Sequence, residues 1–334
     1  MTDAGAALLE VSDLATHFHT QHDLLRAVDG VSFSVRRGQT LGIVGESGSG
    51  KSALARTIIG ILSKQHTTIT GRIAFEGRDL LQVSEPDMRD IRGRDIAMVF
   101  QDPTSALNPV KPVGVQIEEV LARHLGLRGR AARARATELL TSVGISLPEE
   151  RLHHYPHQLS GGMRQRVAIA IALACAPKLL IADEPTTALD VTIQAQILDL
   201  LHRRQKAHDM AMILISHDLG VVAGYTDTVA VMYAGQVVET ASTRSLFRAC
   251  RMPYTAALMR SAPNLSDPPH TRLHAIPGRP PDMVLPQLGC RFAPRCDHAT
   301  DICRNHQPPL SASDAAGTHR YACWHPVAVP GAST

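Results

Sequence analysis

The chain has 334 residues, of which 44% are apolar and 19% charged, a composition typical of a folded globular protein that excludes a disordered one. A formal net charge of +3 and a single Trp give too little positive charge and stacking surface to indicate nucleic acid as a partner. The longest apolar run, at 167–176, is shorter than the roughly 18 residues of a membrane span, and the N-terminus lacks signal-peptide features, so we expect a cytosolic protein.

Residues 45–52 read G-x-x-x-x-G-K-S, the phosphate-binding loop of nucleotide-hydrolysing proteins. A strand is predicted before it at 40–44, and a helix after it, because Leu54, Ile58 and Leu62 recur at helical spacing. The glycines let backbone N–H groups cradle phosphate oxygens, the lysine supplies a positive charge, and the serine hydroxyl is a ligand for Mg²⁺. The predicted nucleotide contacts are Gly45, Ser47, Gly48, Gly50, Lys51 and Ser52.

Short apolar runs separated by turn residues flank this loop, for example at 31–35 and 73–75. They predict an antiparallel layer added to a parallel core. Phe18 lies in the same region, where an aromatic ring either stacks on adenine or belongs to the core. The sequence pattern alone leaves both roles open.

A further strand is predicted at 95–100 and ends at Gln101. Residues 112–157 are then helical and basic, which indicates a helical insertion in the α/β core. Another helix begins after residues 159–163, with Ser160 as its N-cap. Its start is a second candidate site for an anion.

Two more buried strands end in polar residues, one at Asp183 and Glu184 and the other at His217. Strands that alternate with helices predict a parallel sheet, and ligands bind at the carboxyl ends of such strands, so these residues are expected to converge. Asp183 is expected to bind Mg²⁺, and Glu184 to act as the general base on water, an effect of roughly 10²- to 10⁴-fold in rate. His217 is a candidate hydrogen-bond partner of the γ-phosphate, and Gln101 is a candidate for orienting water or metal.

The end of the chain differs in composition from the rest. Prolines crowd residues 263–286, which indicates a loop-rich connector. Four cysteines follow with the spacing C-x5-C-x6-C-x19-C, namely Cys290, Cys296, Cys303 and Cys323. In a reducing compartment such a cluster indicates a metal site before disulfides. Zinc sites usually contain a tighter cysteine pair, and four thiolates also suit a [4Fe–4S] cluster. A structural rather than a redox role is expected of either metal site.

Taken in order, these motifs resemble those of ABC-transporter ATPase domains over about residues 8–240. The resemblance rests on 45–52, Gln101, 159–163, 179–184, 187–190 and His217. A finer resemblance, to the ATP-binding subunits of bacterial dipeptide/oligopeptide importers, rests on 101–109, 155–163, 183–192, 232–239, 276–281 and 289–296.

The resemblance implies an α/β fold in which an ABC ATPase domain at 1–240 has a RecA-like parallel core, an antiparallel β layer and an inserted helical subdomain at about 102–165. It also implies a C-terminal extension at 241–334 with the proline-rich connector and a four-cysteine module, for which the [4Fe–4S] cluster is preferred over zinc. ATP and Mg²⁺ are the implied nucleotide and metal. Nucleotide contacts are then expected from Phe18, Ser160, Gly161, Gly162 and Asp190.

The resemblance further implies a head-to-tail pair of ATPase subunits, identical or paralogous, in which ATP joins each phosphate loop to the partner's 159–163 motif. The Gln101 region is implied to transmit closure to two membrane-embedded permease subunits, which an extracytoplasmic binding protein supplies with peptide. The expected location is the cytoplasmic face of the bacterial inner membrane. Nickel chelates, glutathione and antimicrobial peptides are alternative cargoes, and a soluble ABC ATPase outside transport is a further alternative.

Overall fold

The computed structural model describes residues 6–21, 23–187, 189–262, 275–285, 287–313 and 317–327. Strands in these residues are β1 (Ala7–His19), β2 (Leu24–Arg36), β3 (Thr40–Val44), β4 (Thr67–Phe75), β5 (Arg78–Asp79), β6 (Ile96–Val99), β7 (Leu179–Asp183), β8 (Ala211–Ser216), β9 (Thr228–Tyr233), β10 (Gln236–Ser242), β11 (Ser311–Ala312) and β12 (Arg320–Tyr321).

The α-helices are α1 (Lys51–Ile58), α2 (Glu85–Ile91), α3 (Pro103–Ala106), α4 (Val113–Leu125), α5 (Gly129–Ser142), α6 (Pro148–Arg151), α7 (Gly161–Ala172), α8 (Val191–Ala207), α9 (Leu219–Tyr225), α10 (Thr243–Ala249), α11 (Pro253–Ser261) and α12 (Asp301–Asn305). Short 3-10 helices cover Leu80–Gln82, Pro156–Gln158 and Ala293–Arg295. In the part of the chain described, no helix combines the length and the apolar character that crossing a membrane requires.

The chain divides into two compact units, each assembled from separate stretches. The first unit comprises Met1–Leu9, Val35–Gln39 and Phe75–Ile215. The second unit comprises Glu10–Ser34, Thr40–Ala74 and Ser216–Thr334.

Parallel strands β6, β7 and β8 form the sheet of the first unit, with β7 in the middle. Val99 lies opposite Ala182, and Asp183 lies opposite Ile215. All residues of these three strands are buried, as expected for parallel strands covered on both faces. Because the strands run in one direction, their carboxyl ends lie at one edge, where Gln101 and Glu184 follow.

The second unit contains the strand that leads into the phosphate loop. In it β3 pairs in parallel with β9, whereas β10 pairs antiparallel with both β9 and β12. A separate layer has the strand order β2-β1-β4. The mixed α/β architecture expected from the sequence is therefore confirmed.

A hydrophobic cluster in the second unit joins the end of β3 to the C-terminal part of the chain. Val44, at the end of β3, belongs to the same buried cluster as Tyr233, Tyr254 and Phe292. The three aromatic rings lie 4.5 to 5.3 Å apart between centroids, in tilted and edge-on arrangements that favour aromatic attraction. Residues as far along the chain as Phe292 thus share a core with the strand before the phosphate loop.

Local details differ from the sequence-based expectations at two places. Helix α1 ends at Ile58, before Leu62, because Gly60 adopts a φ of +70° and Ile61 donates its backbone N–H to the Arg56 carbonyl. The left-handed glycine and this backbone hydrogen bond are the features of a Schellman motif, which terminates the helix. Helices α10 and α11 were not predicted, although Ser242 caps α10 and proline begins α11. Much of the proline-rich connector, at 263–274, lies outside the described residues.

Candidate nucleotide site

The phosphate loop connects β3 to α1 through backbone conformations that require glycine. Gly45 and Gly50 have φ values of +154° and +100°. A Cβ atom on Gly45 would lie 2.1 Å from the Met232 carbonyl oxygen, and one on Gly50 would lie 2.1 Å from that of Ala27. Both distances are far below van der Waals contact, so the missing side chains let the loop close tightly. Such a loop before a helix N-terminus is the geometry that binds phosphate through backbone N–H groups.

Lys51 begins α1, and its side chain is folded into the loop. The residue is 5% exposed, and its ammonium group donates to the Gly45 carbonyl at 2.7 Å and to the Glu46 carbonyl at 2.8 Å. A third contact, 3.3 Å long, joins it to the Ser49 hydroxyl. The positive charge is therefore held where the loop meets the helix. Ser52, half-buried, follows in the first turn of α1.

The remaining predicted residues of the second unit lie at strand ends. Phe18 is half-buried near the end of β1. His217 is exposed and directly follows β8. The next residue, Asp218, caps α9 by accepting from the backbone N–H groups of Gly220 and Val221. The contacts of Phe18 and His217 with nucleotide stay predictions.

In the first unit the structure brings together two of the predicted catalytic residues, Gln101 and Glu184. The Gln101 amide donates to Glu184 Oε2 at 3.0 Å, and the Thr187 hydroxyl donates to the same oxygen at 2.9 Å. Asp183, one residue earlier, is 1% exposed at the end of β7. Glu184 has a φ of +46°, a left-handed conformation that costs a non-glycine residue about 1–3 kcal/mol. The chain thus turns sharply between the two adjacent carboxylates.

The 159–163 motif forms the start of α7. Ser160 is its N-cap and accepts from the Met163 backbone N–H at 3.3 Å. A Cβ atom on Gly162 would lie 3.2 Å from the Ile193 side chain, so the glycine allows α7 to approach α8 closely. Asp190 caps α8 by accepting from the Ile193 backbone N–H at 3.0 Å. Ser160 and Asp190 are both exposed at these helix starts.

Sequence reasoning missed the residues that support the phosphate loop from the C-terminal part of the second unit. Arg295 forms an ion pair with Glu46, and Tyr254 accepts a hydrogen bond from the Glu46 backbone N–H. Glu46 occupies one of the variable positions of the loop motif, and Arg295 follows it by 249 residues. No spacing rule connects such distant positions, so no signal in a single sequence identifies the pair.

The prediction of a [4Fe–4S] cluster on the four C-terminal cysteines is wrong, and the zinc alternative has no support. All four are described, and among the described residues no three His, Cys, Asp or Glu side chains form a group that could hold a metal ion. Burial raises the pKa of the Cys290 and Cys296 thiols, and that of Cys323 to about 12. These three side chains pack against the hydrophobic cluster, as small apolar side chains do.

Comparison with known proteins agrees with this geometry. The family model described as ABC transporter matches residues 28–187, and the one described as Oligopeptide/dipeptide transporter, C-terminal region, matches 238–303. The oligopeptide transport ATP-binding protein OppD of Bacillus subtilis is 51% identical over 323 residues, which are 96% of this chain and 89% of OppD. The dipeptide transport ATP-binding protein DppD of Escherichia coli is 49% identical over 305 residues, 91% of this chain and 93% of DppD.

Solved structures show the same fold. The ATP-binding cassette MJ0796, a dimer in a post-hydrolysis state bound to ADP and Pi, superposes with a TM-score of 0.64 at 27% identity, over 71% of this chain and 99% of MJ0796. The fold is that of an ABC ATPase. The phosphate loop, the adjacent carboxylates at and just after the end of β7, and these similarities together identify the chain as an ATP-hydrolysing member of the ABC transporter family, in the group of peptide-transport ATP-binding proteins.

Proposed function

We propose that this chain hydrolyses ATP to drive the uptake of dipeptides or longer peptides through a multi-subunit importer. The observation that carries the proposal is the match of residues 238–303 to the C-terminal region of oligopeptide/dipeptide transporters, in addition to the ABC match. The sequence matches to the relatives named for oligopeptide and dipeptide transport cover nearly the whole chain. We also propose that residues from 241 onward form a C-terminal extension specific to this group.

For nucleotide binding, we assign the triphosphate to the loop at 45–52 and to Lys51. The loop precedes a helix N-terminus, and the ammonium group places a positive charge beside it; both features favour the binding of phosphate oxygens. Ser52 and Asp183 are the assigned ligands of Mg²⁺, a hard cation that prefers hydroxyl and carboxylate oxygens. Mg²⁺ would neutralise negative charge that develops on the phosphates. Phe18 is assigned to the adenine ring.

For hydrolysis, we assign Glu184 as the general base that takes a proton from the attacking water. Gln101 and Thr187 both donate to the same Glu184 oxygen, Oε2, and so restrict the orientation of the carboxylate. A fixed carboxylate is an effective base, because proton transfer requires hydrogen-bond geometry with the water. Gln101 is further assigned to orient water or metal, and His217 to donate a hydrogen bond to the γ-phosphate.

We propose that two ATPase subunits, this chain and an identical or paralogous one, pair head to tail around ATP. Ser160 at the start of α7 is exposed, Gly161 and Gly162 are half-buried, and Asp190 is exposed at the start of α8. A helix N-terminus attracts phosphate through its dipole and its N–H groups. The dimeric state of the similar cassette MJ0796 supports this arrangement.

We further propose that the pair acts as a peripheral assembly on the cytoplasmic face of the membrane, with two permease subunits and, indirectly, an extracytoplasmic binding protein. The test is to co-purify the full chain with its membrane partners, reconstitute the assembly in liposomes and measure ATP hydrolysis. Dipeptides and longer peptides are expected to stimulate hydrolysis, and the same assembly with Lys51→Ala should not respond. Stimulation only by a nickel chelate or by glutathione would refute peptide as the cargo.

A further inference from the structure

Arg295 connects the C-terminal part of the second unit to the phosphate loop. Its side chain is 3% exposed, and its guanidinium group meets the Glu46 carboxylate with both terminal nitrogens. Nη1 donates to Oε2 at 2.6 Å, and Nη2 donates to Oε1 at 2.9 Å. This is the two-pronged arrangement in which arginine and carboxylate bind each other most strongly. Glu46 lies in the loop itself, next to Gly45.

The other donors of Arg295 are held by residues of the connector before it and by β9, where Nη1 also approaches the Tyr233 hydroxyl at 3.3 Å. Nε donates to the Pro277 carbonyl at 2.8 Å, and Nη2 also approaches the Ile276 carbonyl at 3.3 Å. The guanidinium carbon lies 5.9 Å from the ring centre of Tyr233 and 6.0 Å from that of Phe292, within range of cation–π attraction. These contacts fix the Arg295 guanidinium group independently of Glu46, so the Glu46 side chain is held by a rigid partner.

Glu46 is held at its main chain as well as at its side chain. Its backbone N–H donates to the Tyr254 hydroxyl at 2.9 Å, and its carbonyl accepts from the Lys51 ammonium at 2.8 Å. Tyr254 is fully buried. One loop residue thus joins Lys51 on one side to Arg295 and Tyr254 on the other.

The charge on Glu46 makes this contact relevant to ATP. A carboxylate in a phosphate loop repels the phosphates by charge, and an adjacent arginine cancels that repulsion. The Glu46 side chain is 26% exposed, so solvent screens its charge only in part. Loss of Arg295 would leave an uncompensated negative charge within the loop and free the Glu46 side chain, which Arg295 holds at both carboxylate oxygens.

We propose that Arg295 is a positioning residue for ATP binding. Arg295 neutralises Glu46 and fixes the phosphate loop, so that nucleotide affinity depends on the C-terminal segment. The proposal rests on nucleotide binding by this chain and not on its cargo. Arg295 acts through Glu46 and has no assigned contact with the reacting atoms.

The test measures ATP affinity and steady-state kinetics on the purified full chain with Arg295→Gln, Glu46→Gln and the double variant. Arg295→Gln should raise Kd and KM for ATP roughly 10- to 100-fold, the change in affinity that corresponds to the free energy of a hydrogen bond to a charged group. We expect kcat to change much less, because the hydrolytic residues are untouched. The double variant should regain most of the lost affinity, since it leaves neither charge unpaired. Arg295→Lys, which keeps the charge but not the two-pronged geometry, should restore part of it.

The matched control is Arg304→Gln, because Arg304 lies in the same segment and forms an exposed ion pair with Asp301. It should leave Kd, KM and kcat at wild-type values. Wild-type affinity in Arg295→Gln, or a double variant as weak as Arg295→Gln, would overturn the proposal even if thermal stability falls. A wild-type chain without ATP affinity would overturn both the proposal and the ATPase assignment, whereas a failure of peptide stimulation alone affects only the proposed cargo.

Discussion

Replacing Glu184 with glutamine tests the assignment of the general base. The substitution preserves the shape of the side chain but removes the carboxylate that would accept a proton from water. We expect the rate of ATP hydrolysis to fall roughly 10²- to 10⁴-fold, the usual contribution of a general base. Binding of ATP is expected to persist, because the assigned phosphate contacts lie in the loop at 45–52.

The structure limits how much of this loss could come from damage to the fold. Glu184 accepts from Gln101 at 3.0 Å and from Thr187 at 2.9 Å, and a glutamine carbonyl oxygen can accept in the same place. Weakening two such hydrogen bonds costs about 1–3 kcal/mol in stability at most, given about 0.5–1.5 kcal/mol for each. The variant should therefore stay folded at 25 °C, with a modest drop in its thermal midpoint.

The assay combines steady-state phosphate release with ATP binding and light scattering. With ATP bound but not hydrolysed, Glu184→Gln should accumulate as a dimer, whereas the wild type should return to monomer as ATP is consumed. Glu149→Gln, an exposed substitution in the first turn of α6, is the control and should match the wild type in every assay. Hydrolysis by Glu184→Gln within tenfold of the wild-type rate would refute the base assignment.

Two further predictions concern the second unit. Gly50→Ala should abolish measurable ATP binding and lower the thermal midpoint, because its Cβ would lie 2.1 Å from the Ala27 carbonyl oxygen. The control Gly224→Ala, which has no neighbour within 4 Å and lies in α9, should keep ATP binding and should not lower the thermal midpoint. Equal effects of the two substitutions would contradict this account of the loop. Burial raises the pKa of the Cys250 thiol from its ordinary value of 9 to about 11, so its contribution to stability is complete below pH 9 and is lost as pH rises toward 11. The thermal midpoint of the wild type should therefore fall more steeply between pH 9 and 11 than that of Cys250→Ala, and parallel curves would contradict the buried thiol.

Features that depend on a few adjacent residues were predicted well from the sequence. The loop at 45–52 follows a buried strand and precedes a helix, as its motif and apolar spacing indicated. The strand that ends at Asp183 was likewise evident, because a buried apolar run followed by carboxylates is unusual. The end of α1 was not evident from the sequence, because Leu62 continues the helical spacing although Gly60 terminates the helix.

The four C-terminal cysteines show where spacing is insufficient. Clustering along the chain indicated a metal site, yet ligation requires side chains that converge on one point. In the structure the four thiols do not form such a group, and three of them pack against aromatic and apolar side chains. Sequence distance is a weak guide to convergence when the intervening segments have little regular structure.

The local chemistry of the predicted nucleotide site can be inferred from short stretches of sequence, because glycines, a lysine and strand-end carboxylates at close spacing dictate local backbone conformation and charge. Which distant residues support the phosphate loop follows only from tertiary packing. Glu46 and Arg295 are 249 positions apart, and they meet because the aromatic cluster of Tyr233, Tyr254 and Phe292 packs next to the end of β3. Such a contact depends on how the whole core packs, and no short stretch of sequence encodes that packing.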